Sequence, residues 1–351
     1  MVYHSRMTLP VLFLFLLGFF GLAHGAGEAT GDLSTAEAAG GAEAEAEVVY
    51  EKPERVRVGV HLNDIQSLDL KTHSYQMDFY IWFKWKNPEL NPAASMEISN
   101  PIDQWGLMVT PIYEEPETLE DGTLYQVLRI QGSFSKKLPL YNYPFDRQEL
   151  TVHFEDGAED MAALVYEAEG DATSHALIQL PGYRIEPATL SVTTNTYETR
   201  FGDPRTVEKP NYSRATLAVA LTRPPVAYAS KLFLPVGCVI VCAALMFLLS
   251  PGMVDSRVDV GITSLLTIVA LQMTYNDNLP DVGYLMLMDK IYLCAYLFVI
   301  AGLGMVVHTT RMFEAGRDAE ARILHKRSLS VLLAVWGTAV TVLVVTAMNA
   351  G

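Results

Sequence analysis

Cysteine is scarce in this 351-residue chain and is absent from its first two thirds. The three cysteines, Cys238, Cys242 and Cys294, all fall in the apolar C-terminal part. The part before them therefore contains neither a disulfide nor a cysteine-based zinc site. Cys238 and Cys242 have a spacing that would suit a metal or redox pair, but packing of small apolar residues in a membrane helix explains them better.

Basic residues are also few, and their shortage is confined to one part of the chain. Residues 27–226 hold 32 Asp and Glu against 16 Lys and Arg, whereas residues 227–351 hold eight of each kind. Nucleic-acid binding needs clustered Lys and Arg that neutralise phosphates, so we expect no nucleic-acid partner. An acidic surface attracts cations instead.

Recognisable catalytic motifs are missing as well. The sequence has no nucleophile elbow, no glycine-rich phosphate loop and no HExxH zinc motif, and its eight histidines lack the spacing of metal ligands. We therefore predict that the chain is not an enzyme, and we expect no cofactor and no metal site. A membrane-tethered hydrolase, as an alternative, would need a nucleophile and a base that the sequence does not offer.

Sequence patterns divide the chain into four parts. Residues 1–26 have a basic start, an apolar run and small residues, as in a cleaved signal peptide; an uncleaved anchor is the alternative. Residues 27–47, rich in Ala, Gly and Glu, indicate a disordered acidic tether. Residues 48–226 alternate apolar and polar positions between turn clusters, which predicts an immunoglobulin-like all-β sandwich of about ten strands. Residues 227–351 form a transmembrane domain.

Four apolar segments predict a four-helix transmembrane bundle. The runs 232–249 and 329–348 carry no charge over 18 and 20 residues, which is long enough to cross a bilayer. The expected helices cover about residues 228–249, 256–275, 284–308 and 327–348. Basic residues concentrate between the third and fourth helices, in residues 309–327, whereas residues 275–283 have none. This bias places the sandwich and both chain ends on the outside.

The second of these helices is unusually polar for a membrane span. At 3.6 residues per turn, seven positions share one face. From the cytoplasmic end outward they are Asp255, Asp259, Thr263, Leu266, Ala270, Met273 and Asp277. Repeated by rotational symmetry, Asp255 and Asp259 would form a cation filter, and Leu266 or a neighbouring apolar level would form a hydrophobic gate. The alternative is a buried polar face in a non-conducting bundle. Arg257, between the two acids, should face away and pair with an adjacent helix.

Four short motifs occur in the predicted sandwich and in or beside the membrane helices. They are Tyr-Pro-Phe-Asp-Arg-Gln at 143–148, Trp82 followed by Trp-Lys-Asn-Pro at 85–88, Pro235 in the first membrane helix, and Asn-Leu-Pro at 278–280. With these motifs and the four helices, residues 56–348 resemble the pentameric ligand-gated ion channels of the Cys-loop receptor superfamily. The cysteines of the eukaryotic receptors would fall near Lys136 and at Leu150, so the defining disulfide is absent. In this respect the chain is similar to the prokaryotic branch.

The resemblance implies a symmetric homopentamer in a bacterial inner (plasma) membrane, with multi-pass subunits and a periplasmic ligand-binding domain. Together with the acidic positions of the second helix, it predicts a channel selective for monovalent cations and gated by an unknown small-molecule agonist or by protons. Membrane lipid would surround the helices. The alternative is a membrane-anchored periplasmic sensor that signals without ion conduction, for which the internal loop 309–327 is short.

The resemblance also implies two groups of functional residues. A coupling interface between the sandwich and the helices would consist of Asp69, Lys71, Pro144, Phe145, Asp146, Arg223, Asn278, Leu279 and Pro280, with Asp146 and Arg223 as an ion pair. An agonist site between subunits, under the hairpin 197–212, would use Trp85, Tyr113, Tyr197 and Tyr212. Aromatic side chains of this kind would cage an amine. Packing in the sandwich core is the alternative for each of these aromatic residues.

Overall fold

Alternating apolar residues build two packed β-sheets in the first half of the chain. A computed structural model describes residues 52–202 and 209–350, so the predicted signal peptide 1–26 and tether 27–47 lie outside the described residues. The first six strands are β1 (Glu54–Asp69), β2 (Ser74–Trp85), β3 (Met96–Ile98), β4 (Met108–Pro111), β5 (Glu117–Thr118) and β6 (Leu124–Ser135). The next six are β7 (Arg147–Asp156), β8 (Leu164–Ala168), β9 (Thr173–Ser174), β10 (Arg184–Ile185), β11 (Thr189–Thr196) and β12 (Asn211–Thr222).

The two sheets form the predicted sandwich. One sheet has the order β4-β6-β2-β1-β8, with β5 added to β6 and β9 added to β1, and the other has the order β10-β12-β7-β3, with β11 on β12. Every second residue of β12 is buried from Ser213 to Leu221, which is the periodicity of a strand with one face in the core. The all-β sandwich prediction is confirmed. The described residues form twelve strands rather than the predicted ten or so. Three of them, β5, β9 and β10, contain only two residues each and are too short to give a sequence signal.

Large apolar side chains from both sheets fill one core. Its largest fully buried members include Trp85, Tyr75, Tyr166 and Phe79. Gly59 of β1 lies against the indole of Trp82, and a Cβ atom at this position would overlap that ring. The close approach of the two strands there requires glycine.

Four long helices follow the sandwich. After the short helix α1 (Pro92–Ser95) of the sandwich, they are α2 (Pro225–Ala244), α3 (Val254–Asn276), α4 (Leu287–Glu314) and α5 (Asp318–Ala350). A 3₁₀ turn, Leu245–Phe247, extends α2. All four are long and apolar enough to cross a membrane, and the predicted number is confirmed for the described residues. The chain is therefore a multi-pass membrane protein.

The connection between α4 and α5 differs from the predicted loop 309–327. Residues 315–317 alone separate the two helices. Gly316 has a φ of 72°, and Arg317 N–H bonds to the carbonyl of Met312, which is the usual glycine-based end of a helix. The loop prediction was wrong because loss of hydropathy marks where a helix leaves lipid, whereas charged residues readily continue a helix into water.

Candidate functional site

The polar stripe of α3 lies on the exposed side of the helix. All seven predicted positions, Asp255, Asp259, Thr263, Leu266, Ala270, Met273 and Asp277, are exposed on the single chain. Leu266 is 64% exposed and Met273 is 65% exposed. The opposite side packs on the other helices and buries Arg257, Gly261, Ser264, Ile268 and Tyr275. The stripe is thus free to face water, lipid or another copy of the chain.

Two hydroxyl groups on the exposed side of α3 bind backbone carbonyls of the helix itself. Thr267 Oγ1 donates to the carbonyl of Thr263 over 2.8 Å, and Thr274 Oγ1 donates to the carbonyl of Ala270 over 3.0 Å. Such bonds within one helix satisfy a hydroxyl donor in an apolar environment. The helix can therefore carry several threonines and still pack in a membrane domain.

Arg257 faces away from the stripe, as expected from its position between two acids. Its side chain is fully buried, and it donates to the carbonyl of Met246 over 3.1 Å and to Thr309 Oγ1 over 3.1 Å. A third partner is His325 Nδ1 of α5, 2.9 Å from Nη2. The residue thus ties α3 to the other three membrane helices.

Strand pairing brings the predicted ion pair together at the base of the sandwich. Strands β7 and β12 are antiparallel neighbours with Arg147 opposite Thr222, so the residues immediately beyond, Asp146 and Arg223, meet. Their side chains form a buried salt bridge, 5% and 1% exposed. Arg223 also donates to the hydroxyl of Tyr183 over 2.6 Å. Burial lowers the pKa of Arg223, but Asp146 and Tyr183 oppose this effect, and the net pKa is raised.

Aromatic rings surround the Arg223 guanidinium. The rings of Tyr143 and Tyr183 each lie 4.7 Å from its central carbon, and the ring of Tyr228 lies 5.7 Å away. These distances are within the range of cation–π attraction. The three tyrosines come from the β6–β7 loop, the segment before β10 and helix α2. The sequence analysis did not predict them as partners of Arg223, because tyrosines in three separate segments give no sign of a shared partner.

The β1–β2 turn contacts the outer end of α3. Lys71 Nζ donates to the carbonyl of Asp277 over 3.0 Å, and Asp69 Oδ1 accepts from the backbone N–H of Lys71 over 2.8 Å. A hydrogen bond with Thr72 is the main cause that lowers the pKa of Asp69. A lysine ammonium at a helix C-terminus is also favoured by the helix dipole. Both predicted turn residues therefore lie at the junction of the two domains.

The β6–β7 loop supplies a second set of contacts. The peptide bond between Tyr143 and Pro144 is cis, and Pro144 is buried. The ring of Phe145 lies 6.2 Å from that of Phe233 in α2, and the ring of Tyr143 lies 6.1 Å from that of Tyr275 in α3. The loop thus contacts two membrane helices directly.

The start of α4 is held by the same loop. The hydroxyl of Tyr284 accepts a hydrogen bond from the N–H of Leu140 over 2.9 Å, and the ring of Tyr284 stacks on that of Tyr141 with the centroids 3.7 Å apart. Leu287 N–H bonds to the carbonyl of Tyr141 over 3.1 Å. The loop therefore fixes three helices relative to the sandwich.

The segment after α3 completes the junction. Asn278 Nδ2 donates to the carbonyl of Thr274 over 2.9 Å, and both Leu279 and Pro280 are buried. A cavity of about 290 Å³ separates this segment from the β1–β2 turn and the ion pair. It is lined by Leu68, Asp69, Leu70, Tyr143, Tyr183, Arg223, Tyr228, Asn278 and Leu279. The predicted coupling residues thus occupy one continuous region.

Two of the four predicted agonist-site residues lie together. The rings of Tyr197 and Tyr212 are 5.7 Å apart and nearly perpendicular, and Phe201 lies 5.3 Å from Tyr197. The Tyr197 hydroxyl donates to Glu155 Oε2 over 3.1 Å, and Glu155 also pairs with Arg214. Burial is the main cause that raises the pKa of Tyr197, followed by the charge of Glu155. Residues 203–208 of the hairpin lie outside the described residues.

The other two predicted residues are placed differently. Tyr113 follows β4 and stands beside Tyr125 of the neighbouring strand β6 in the same sheet, with the ring centroids 6.1 Å apart. Trp85 is 1% exposed in the sandwich core, and its indole N–H donates to the carbonyl of Leu90 over 2.8 Å. The assignment of Trp85 to an aromatic cage is corrected here, because the core leaves no face of its ring open to a ligand.

Comparison with curated proteins agrees with this architecture. No family model matches the chain. The γ-3 subunit of the γ-aminobutyric acid receptor, from Mus musculus and from Homo sapiens, is 24% identical over 279 residues, 72% of this chain and 56% of the receptor subunit. This chain is similar to subunits of the Cys-loop receptor superfamily. A γ-aminobutyric acid receptor β subunit from Lymnaea stagnalis is 25% identical over 215 residues, 60% of this chain and 41% of the subunit.

The match covers only part of each relative. The chain spans about half the length of the curated relatives it matches. Those relatives are receptor subunits rather than enzymes, which fits the prediction that this chain is not an enzyme. Within residues 52–202 and 209–350, no group of three or more His, Cys, Asp or Glu side chains could hold a metal ion.

Proposed function

We propose that the chain is the subunit of a ligand- or pH-gated, cation-selective ion channel whose pore is lined by α3. The observation that carries this proposal is the exposed stripe of α3, which lies opposite a face packed on the neighbouring helices. A membrane helix with two carboxylates and a threonine on its exposed side is costly against lipid. Around a water-filled pore the same side chains are solvated.

One stripe makes a pore only when several copies surround an axis. The proposal therefore includes a symmetric homopentamer, whose subunit number comes from the superfamily. In that assembly Asp255 and Asp259 form two acidic rings near the cytoplasmic end, and Leu266 forms a ring of exposed aliphatic side chains. Acidic rings attract cations and repel anions, and a narrow aliphatic ring closes a pore by dewetting. The permeant ions would be monovalent cations.

The junction between the sandwich and the helices supports control from outside the membrane. Lys71 binds the carbonyl of Asp277 at the C-terminal end of α3, and the β6–β7 loop contacts α2, α3 and α4. The Asp146–Arg223 pair anchors the strand that leads into α2. A displacement of the sandwich would therefore reach the pore helix through packed side chains. Agonist binding near Tyr197 and Tyr212, or protonation of acidic groups in the same domain, would supply the displacement.

The location follows from the same proposal. The sandwich would lie in the periplasm of a bacterium, the four helices would cross the inner membrane, and both chain ends would lie outside. The exposed cations at the α4–α5 connection, Arg311, Arg322, Lys326 and Arg327, agree with a cytoplasmic position for that end.

Cation selectivity rests on Asp255 and Asp259, since resemblance to γ-aminobutyric acid receptor subunits gives it no support. The full chain would be expressed in oocytes, and the reversal potential would be measured before and after dilution of external NaCl. A cation-selective pore moves the reversal potential to more negative values, and the combined Asp255→Asn and Asp259→Asn substitution should reduce this movement. Asp277→Asn, at the other end of the stripe, is the matched control.

The possible results separate the alternatives. A movement to more positive values would overturn the filter assignment. Absence of current over pH steps and a panel of amines and carboxylates, with normal surface expression, would favour the sensor that signals without conduction.

A further inference from the structure

Arg257 is a buried cation without an acidic partner among the described residues. The chain buries its guanidinium completely, where isolated charge is expensive. Its hydrogen bonds go to the carbonyls of Met246 and Pro251, the hydroxyl of Thr309 and the ring of His325. Arginine has donors only, so every partner must accept. The site is therefore built to hold one positive charge with neutral acceptors.

His325 is the acceptor that comes from α5. Its Nδ1 lies 2.9 Å from Arg257 Nη2, it is 4% exposed, and its ring packs 5.0 Å from that of Phe247. To accept from a guanidinium, the Nδ1 atom must carry a lone pair, so the imidazole is neutral in this contact. Within the described residues this bond is also the hydrogen-bonded link between α5 and α3.

Helix α5 packs on the core of the bundle through half-buried apolar side chains, among them Leu329, Trp336 and Val340, and few of its residues are fully buried. Along its length from Asp318 to Ala350, its buried residues are Ala321, His325 and Ala347. The two alanines offer small contacts, whereas His325 reaches the pore helix. The bond therefore connects the outermost helix to the pore-lining one at a single level.

The bond between Arg257 and His325 lies at the same height along α3 as the two acidic positions. Asp255 and Asp259 lie two residues before and after Arg257, which places each of them about 200° around the helix from it. Holding Arg257 inward therefore holds both carboxylates outward. Gly261 supports the same orientation one turn later, because a Cβ atom there would overlap Leu303 of α4.

We propose that His325 is a positioning residue for the inner pore, whose neutral acceptor atom fixes the rotation of α3 and so directs Asp255 and Asp259 towards the axis. This inference rests on the proposed function, because it takes the exposed stripe of α3 as the pore wall. It adds that α5, which contributes nothing to the stripe, controls the orientation of the filter.

The experiment measures which face of α3 is wet. In the full chain with Cys238, Cys242 and Cys294 replaced by Ala, a single thiol is introduced as Asp259→Cys on the stripe or as Val260→Cys on the packed side. The purified protein is treated with a small water-soluble cationic thiol reagent, and the two reaction rates are compared. With His325 present, the thiol of the Asp259→Cys variant should react at least about tenfold faster, so that loss of one charge-assisted hydrogen bond, worth about tenfold, can be measured as a change in this ratio.

Substitutions of His325 then test its role. His325→Leu should reduce the ratio of the two rates by about tenfold, whereas His325→Asn should preserve it, since the amide oxygen replaces Nδ1 as acceptor. If His325→Leu does not assemble, the double variant Arg257→Met with His325→Leu removes the buried charge as well and should show the same reduced ratio. An unchanged ratio in the Leu variant or the double variant would overturn the inference.

The outcomes also distinguish this inference from the proposed function. If the thiol of the Asp259→Cys variant reacts no faster than that of the Val260→Cys variant while His325 is intact, the stripe is not wet, and the pore assignment fails together with the inference. If the difference is present but does not depend on residue 325, only the positioning role is overturned.

Discussion

Replacement of Asp146 by Asn removes the charge that faces Arg223 while leaving nearly the same side-chain volume. The two side chains are 5% and 1% exposed, so water cannot solvate the guanidinium that remains. One-sided loss of a buried ion pair costs about 3–5 kcal/mol. The rings of Tyr143 and Tyr183, each 4.7 Å from the guanidinium carbon, retain part of the stabilisation by cation–π attraction. We therefore expect the lower end of that range, about 3 kcal/mol.

The assay is equilibrium unfolding of the purified full chain in detergent. Asp146→Asn, Arg223→Gln and the double variant form a double-mutant cycle. Because the second substitution removes the group that the first leaves unpaired, the double variant should be more stable than the sum of the single effects by about 1–3 kcal/mol. Additive effects in correctly assembled protein would refute the idea that the two side chains act as one unit.

A neighbouring ion pair provides the matched control. Arg147 pairs with Glu186 one residue further along β7, but the two side chains are 55% and 33% exposed. Exposed pairs contribute little, since water and salt screen them. Arg147→Gln should therefore leave the unfolding midpoint almost unchanged. A loss as large as that of Asp146→Asn would show that charge at this edge of the sandwich, rather than burial of the pair, sets the effect.

The remaining predictions concern the gate and the outer domain. Leu266→Ala should increase spontaneous or evoked opening, because a smaller side chain eases wetting of the apolar ring; unchanged activation in current recordings would move the gate to Ala270 or Met273. Hydrogen bonding by Arg129 is the main cause that lowers the pKa of Asp78 below its ordinary 3.8. The resulting stabilisation is present above that value and is lost as the pH falls through the lowered pKa. Arg129→Gln should therefore lower the unfolding midpoint at neutral pH, and the difference from the unmodified protein should shrink below pH 3.8; a pH-independent difference would contradict this.

Sequence periodicity predicted the elements well where one residue pattern has one structural meaning. Alternation over strands such as β12 indicates one buried face, and a long uncharged run indicates a membrane helix, because both patterns depend on neighbours in sequence. The helix limits were less accurate. The α4–α5 connection is three residues rather than the predicted loop, since hydropathy reports contact with lipid and not the end of a helix.

Assignment of the candidate site residues depends more on contacts between residues that are far apart in the sequence. Trp85 is a core residue although its position on a strand equally suits a ligand cage, because strand periodicity says which residues share a face and not what covers that face. The contact between Arg257 and His325 joins positions 68 residues apart in the chain. No local pattern signals such a pair. A lone histidine in a basic segment is compatible with many environments.

The sequence by itself determined the division into an acidic β domain and four apolar helices, and it determined which residues share the polar face of α3. These properties follow from composition and from the fixed geometry of helices and strands. Only the tertiary structure decided that this face is the exposed one, that three tyrosines surround Arg223, and that His325 holds Arg257. Each of these depends on packing between segments far apart in sequence, where burial selects which polar groups must find one another.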